Sequence, residues 1–311
     1  MMIKKSDRIF LAGHKGLMGS AIYRRLIFHG YKNIITISRN NLDLRNQREV
    51  FDFFKKNYFK SVIIAAAKVG GIYANMTNRA DFIYDNLSIQ NNLIHGAFTS
   101  NIKNLIFLGS SCIYPKNSKQ PLKEDYLLSG KLEETNESYA IAKIAGIILC
   151  KSYNLQYKTD YKCLMPCNVY GPGDNYHKKN SHFFASFIKK INEAKKNKRK
   201  QIVIWGSGRP LREIIFSEDV ADACVFFMNK KTKETLINVG SGYEKTILQY
   251  AKLIANYFKV KINFKFDTSI PDGTHRKILD NTIARKYGWY PKTDLETGLY
   301  LTYKDFIKKY E

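Results

Sequence analysis

No stretch of this sequence comes near the roughly 20 consecutive apolar residues that a bilayer-crossing helix needs. Its first eight residues, Met1 to Arg8, open on polar and basic side chains rather than an apolar signal core. Membrane insertion is therefore not expected, and a cytoplasmic location is. Cysteine is scarce: Cys112, Cys150, Cys163, Cys167 and Cys224 are odd in number and unevenly spread. That pattern excludes a paired disulfide framework and fits a reducing compartment. The spacing of Cys163, Cys167 and the nearby histidines is not that of a metal-ligand set, so no metal site is expected. Acids are also few, 27 Asp and Glu against 51 Lys and Arg, for a net charge of +24. Only 12 of those bases are Arg, and the one dense basic run is Lys195 to Lys200. Nucleic-acid faces cluster Arg and interleave aromatics. That arrangement is missing, so the excess reads as a solvated lysine surface and no nucleic-acid partner is expected.

With 311 residues and 44% hydrophobic composition, the chain can bury one large or two modest cores. Its first half alternates short apolar runs with helical spacing. Arg8 to Ala12, Asn33 to Ile37, Ser61 to Ala65, Asn104 to Leu108 and Cys163 to Met165 read as strands. Ser20 to His29, Gln47 to Lys56, Asp81 to Thr99 and Ser138 to Tyr157 read as the helices between them. The pattern predicts an α/β fold, a doubly wound parallel sheet of Rossmann type. A smaller α/β unit follows, with a basic helix at Phe183 to Lys196 and a strand at Gln201 to Trp205. The expected division is residues 1–165 plus about 213–243 for the first unit, and about 166–212 plus 244–311 for the second.

Three local patterns carry chemistry. Gly13-His14-Lys15-Gly16-Leu17-Met18-Gly19 follows the first strand and opens a helix. Glycines there permit a tight turn and let backbone approach a pyrophosphate, whose charge sits at the helix N-terminus. Such a trio also occurs in ordinary strand-to-helix turns, so its context decides. After the second strand, where NAD sites place an acid, stand Ser38 and Arg39. With Lys15 in the turn the local charge is positive, which favours the 2′-phosphate of NADPH. Asp43 lies further on, toward the adenine. Tyr139 and Lys143 stand four apart on one helix face. An ammonium beside a phenol is expected to lower a pKa of about 10. Ser110-Ser111-Cys112-Ile113-Tyr114 follows the fourth strand at its carboxyl end, where doubly wound sheets bind ligands.

Glycine turn, serine loop and Tyr/Lys pair occur here in the chain order of the extended short-chain dehydrogenase/reductases, which the sequence resembles. Within them, Ala65 to Ile72 (AAAKVGGI), Leu108 to Lys116 (LGSSCIYPK), Glu137 to Gly146 (ESYAIAKIAG) and Asn168 to Pro172 (NVYGP) are similar to the GDP-L-fucose synthase family. So are Asn180-Ser181-His182, Trp205-Gly206-Ser207-Gly208 and Leu211-Arg212-Glu213, and the likeness spans almost the whole chain.

That resemblance implies NADPH-dependent reduction at C4 of a GDP-linked 4-keto-sugar, with epimerisation at C3 and C5. Tyr139 would give the proton to the developing alkoxide, Ser110 would bind the same oxygen, and Lys143 would hold the nicotinamide ribose. Ser110 is preferred to Ser111 because the family's serine precedes the loop tyrosine, here Tyr114, by four. Cys112 and His182 would be the acid/base pair on opposite faces of the sugar. Gly13, Lys15, Gly16, Leu17, Met18, Gly19, Arg39, Asp43 and Ala66, with Lys143, would hold the cofactor. Asn168, Lys190, Trp205, Arg212 and Asp280 would grip the substrate, though the family carries Arg at the Lys190 position and Thr at that of Cys167. A homodimer through helices Asp81 to Thr99 and Ser138 to Tyr157 is implied as well. A GDP-4-keto-heptose reduced at C4 without epimerisation is the alternative. A 4,6-dehydratase would carry an acid in the serine loop, and a UDP-hexose 4-epimerase would need no Cys/His pair.

Overall fold

The computed structural model describes residues 2–177 and 181–311, so Asn180 lies outside the described residues. The chain begins with β1 (Ile9–Ala12), α1 (Leu17–Phe28), β2 (Ile34–Ile35), α2 (Gln47–Lys56) and β3 (Ser61–Ile64). It continues through α3 (Ile72–Thr77), α4 (Arg79–Thr99), β4 (Asn104–Leu108), α5 (Glu137–Tyr157), β5 (Asp160–Pro166), β6 (Asn168–Tyr170) and α6 (Phe183–Lys196). Next come β7 (Gln201–Trp205), β8 (Leu211–Phe216), α7 (Ser217–Asn229), β9 (Leu236–Val239), β10 (Glu244–Thr246) and α8 (Ile247–Tyr257). β11 (Asn263–Asp267), β12 (Arg276–Lys277), α9 (Thr282–Lys286) and α10 (Leu295–Tyr310) complete it.

The larger sheet runs β2-β1-β3-β4-β5-β9 with every pair parallel. All residues of β1, β3 and β4 are buried, because helices cover both faces of the sheet. Burying each Ile, Val, Leu or Phe there is worth roughly 1.5–3 kcal/mol, which outweighs the weak propensity of four-residue strands. The order reverses between β1 and β3, since the chain leaves β1 for β2 on one side and returns to β3 on the other. That switch point opens a crevice at the carboxyl ends of the strands. β2 is shorter than the expected Asn33 to Ile37: at the sheet edge its two residues are only half-buried. β5 is longer than expected, because β4 and β9 pair with it on both sides.

A second core is built by α6, α8 and α10 around Phe184, Phe187, Ile188, Tyr250, Ile254 and Leu299. β8 joins the two: Ile215 is buried in the first core, while Ile214 and Phe216 enter the second, as strand alternation requires. Leu279, Ala284 and Trp289 are buried in the first core, although the sequence assigned 244–311 to the smaller unit. α9 follows a bridge between Leu122 and Leu279 that draws this segment back toward β9.

Candidate active site

At the switch point a cleft of about 1340 Å³ runs from the glycine turn, past the ends of β3, β4 and β5, to α6 and β8. Gly13 has φ +89°, and a Cβ on it would lie 2.6 Å from the Ala66 nitrogen. A Cβ on Gly19 would lie 2.0 Å from the Gly13 carbonyl oxygen. Only glycine lets the turn, β3 and α1 approach so closely. Gly16, at the start of α1, offers no side-chain cap, and the first turn of α1 carries no acid. Its free amides therefore face the cleft as an anion site, which fits a dinucleotide pyrophosphate. Lys15, Gly16, Leu17, Met18, Arg39, Asp43 and Ala66 line this half, whereas Gly19 acts behind the turn. Arg39 makes no hydrogen bond or ion pair among the described residues and is available to a phosphate. Asp43 is not available: Arg45 donates to both of its oxygens, at 3.0 and 2.6 Å, and holds the carboxyl down at about pKa 2. Arg45 also bonds Asp85, which accepts from Lys68 at 3.0 Å.

Ser110, Cys112, Tyr139, Lys143 and His182 line the same cleft. Ser110, two residues beyond β4, caps the 3-10 turn Ser111–Ile113, its hydroxyl accepting from the Cys112 amide at 3.5 Å. The turn is fastened from below, where the Tyr114 hydroxyl donates to Asn238 at 2.6 Å. The Tyr139 phenol departs from expectation. Burial raises its pKa, reinforced by the Cys112 sulfur, and Lys143 does not offset this. Lys143 instead donates to the Leu108 carbonyl at 2.8 Å and sits over the Phe107 ring, with its own pKa pushed down to about 8 by burial. Burial likewise raises the Cys112 thiol, against the nearby charges of Lys277 and Lys143. His182 immediately precedes α6 and is exposed to the cleft, and the protein packed around it lowers its pKa from the ordinary histidine value.

On the far side, Lys190 donates to the Val203 carbonyl at 3.0 Å and lies over the Trp205 ring at 5.1 Å. Arg212 is anchored on the carbonyls of Leu211 and Asp272, at 2.8 and 3.2 Å, and burial lowers its pKa to about 10. Asn168 donates to the Glu213 carbonyl at 2.9 Å. These four side chains line the cleft, but Asp280 does not. Its carboxylate accepts from the Thr282 amide at 2.8 Å and its own amide bonds Leu122, which turns it toward α9. An acid that lines the cleft beside Arg212 is Asp272, which accepts from the Ser207 amide and hydroxyl, both at 2.7 Å.

The family model for the NAD dependent epimerase/dehydratase family matches residues 9–240, the span that holds the glycine turn, serine loop and Tyr139/Lys143. The chain belongs to this family.

Within the NAD dependent epimerase/dehydratase family the chain is 47% identical to GDP-L-fucose synthase of Escherichia coli strain K12, covering 97% of each. A solved GDP-mannoheptose C4 reductase from Campylobacter jejuni with NADP bound is 36% identical, with TM-score 0.89 over 98% of this chain and 99% of that one. A GDP-L-fucose synthetase from Naegleria fowleri bound to NADP is 27% identical, with TM-score 0.90 over 100% and 95%. Asp272, Arg45 and Lys277 are among the cleft residues of this epimerase/dehydratase chain that escaped the sequence reading. Asp272 sits in a Pro-Asp-Gly turn, a recognisable signal. Arg45 and Lys277 carried none: Arg45 lies in the loop between β2 and α2, and Lys277 is on β12, whose two residues show no periodicity.

Proposed function

We propose that this protein reduces a GDP-linked 4-keto-sugar at C4 with NADPH and epimerises C3 and C5, as a GDP-L-fucose synthase does. The observation that carries this reading is the single cleft that joins the glycine turn to Tyr139 and Lys143 and then to Cys112 and His182. NADPH would rest its pyrophosphate on the first amides of α1 and its 2′-phosphate against Arg39. When bound, it supplies hydride. Tyr139, kept protonated by burial, gives its proton to the carbonyl oxygen as charge develops there, and Ser110 donates a hydrogen bond to the same oxygen. Lys143 is fixed by Leu108 so that its ammonium stands below the phenol. Before reduction, the C4 carbonyl acidifies the hydrogens at C3 and C5. Cys112 and His182 then remove a proton from one face and return one to the other. Arg212, Lys190 and Trp205 would hold the diphosphate and base, with Asn168 near the sugar.

Two cores correspond in this reading to a cofactor-binding and a substrate-binding unit. The chain would act in the cytoplasm, in keeping with five unpaired cysteines, and as a homodimer across α4 and α5. Tyr84 on α4 and Ile141, Ile148 and Leu155 on α5 are exposed, the last three at heptad spacing. The heptose C4 reductase at 36% identity favours a second substrate, a GDP-4-keto-heptose reduced without epimerisation. Incubation with GDP- and UDP-linked 4-keto-sugars and NADPH in heavy water decides between them. Consumption of the GDP-6-deoxy substrate with deuterium at C3 and C5 supports the first reading. Turnover of the heptose alone, without deuterium uptake, replaces it.

A further inference from the structure

A thiol that removes a carbon-bound proton must act as thiolate, and burial opposes that charge in Cys112. The charged and titratable groups around it can be counted by element. From its own turn comes the Ser110 hydroxyl, which accepts from the Cys112 amide at 3.5 Å. From α5 come Tyr139, a neutral phenol, and Lys143, whose ammonium is committed to the Leu108 carbonyl. From β12 comes Lys277, and across the cleft stands His182.

Lys277 is placed by its strand. It pairs in register with Arg212 on β8, so the two side chains leave the same face of the sheet toward the cleft. Around it stand Cys112, Arg212 and Glu133, and burial lowers its pKa. Glu133 lies before α5 and is itself paired with Lys116 at 3.2 Å. Arg212 spends donors on Leu211 and Asp272. The Lys277 ammonium, in contrast, has no hydrogen-bond acceptor or ion-pair partner among the described residues. Among the described residues it is the one cation near Cys112 that no protein acceptor engages.

We propose that Lys277 is the positioning cation that favours the Cys112 thiolate as it forms for proton abstraction. The thiolate takes the proton from the carbon beside the C4 carbonyl and becomes a thiol. The C–H electron pair passes into the enolate, and Lys277 keeps its own proton throughout. The catalytic part of this inference rests on the epimerase reading, while the state of the thiol does not.

The test is the pH dependence of Cys112 alkylation by iodoacetamide on the folded full-length protein, followed by mass spectrometry of its peptide. Lys277→Gln should move the midpoint upward and slow alkylation at pH 8 roughly tenfold, and Lys277→Arg should restore the wild-type profile. Should the Gln variant fail to fold, Lys277→Met, close in length and apolar, replaces it. A Gln or Met profile that coincides with wild type overturns the proposal. A raised KM for the nucleotide sugar with that unchanged profile would assign the lysine to the diphosphate instead. Wild-type protein that incorporates no deuterium at C3 or C5 would remove the epimerase reading alone, because the alkylation profile still answers for Lys277.

Discussion

The Lys143 ammonium lies 5.8 Å from the centre of the Tyr139 ring and gives its hydrogen bond to the Leu108 carbonyl rather than to the phenol. The pair is thus held rigid by β4, and the phenol stays protonated until a substrate oxygen draws on it. Tyr139→Phe should lower kcat for C4 reduction by about 10²- to 10⁴-fold, the usual worth of a general acid. NADPH affinity, read by fluorescence titration, should change by no more than about threefold, since the ring packing is retained. Near-normal turnover would remove Tyr139 from this role.

In the proposed reaction Cys112 and His182 serve epimerisation and leave reduction to Tyr139. Cys112→Ser keeps the size of the side chain and removes the thiolate. It should abolish deuterium incorporation from heavy water while the variant still oxidises NADPH with a keto-sugar that needs no inversion. Mass spectrometry of the product checks this, and retained incorporation at both carbons contradicts it.

Arg39 carries an unpaired guanidinium into the cofactor half of the cleft, whereas the nearby Asp43 is neutralised by Arg45. Arg39→Ser should weaken NADPH binding by roughly tenfold or more and leave NADH binding nearly unchanged, because a charge-assisted contact to phosphate is worth about 1.5–3 kcal/mol. Isothermal titration with both cofactors measures the ratio.

Glu213 is fully buried on β8, where it accepts from the amides of Gly242 and Leu279 at 2.6 and 2.8 Å. Burial still raises its carboxyl from 4.5 to about 7. The folded chain therefore holds this proton more tightly than the unfolded chain. The resulting stabilisation is complete below about pH 4.5 and is lost as pH climbs toward 7. Glu213→Gln should flatten that decline by up to about 3 kcal/mol between pH 4.5 and 7.5. Urea unfolding of both proteins at the two pH values shows it, and parallel pH dependences would refute it.

Ile148 on α5 tests the dimer. Ile148→Glu puts a charge in the centre of the exposed apolar row Ile141, Ile148 and Leu155. Gel filtration with light scattering should find a dimer for wild type and a monomer for the variant. A monomeric wild type dismisses this interface.

What the sequence alone determined were the features that lie within a few neighbouring residues. The glycine turn, the serine loop and the Tyr139/Lys143 spacing each depend on local geometry, in which a turn or one helical period sets which groups face together. The alternation of apolar runs likewise announced the parallel sheet, since strands covered on both faces must be apolar throughout. Tertiary structure decided the rest. Asp272 rather than Asp280 reaches the cleft because Ser207, 65 positions away in the chain, captures it, while Leu122 turns Asp280 aside. Lys277 enters beside Cys112 only through the register of β12 on β8. The phenol of Tyr139 rises in pKa instead of falling because desolvation sums atoms packed from distant segments, and no spacing along a helix records that sum.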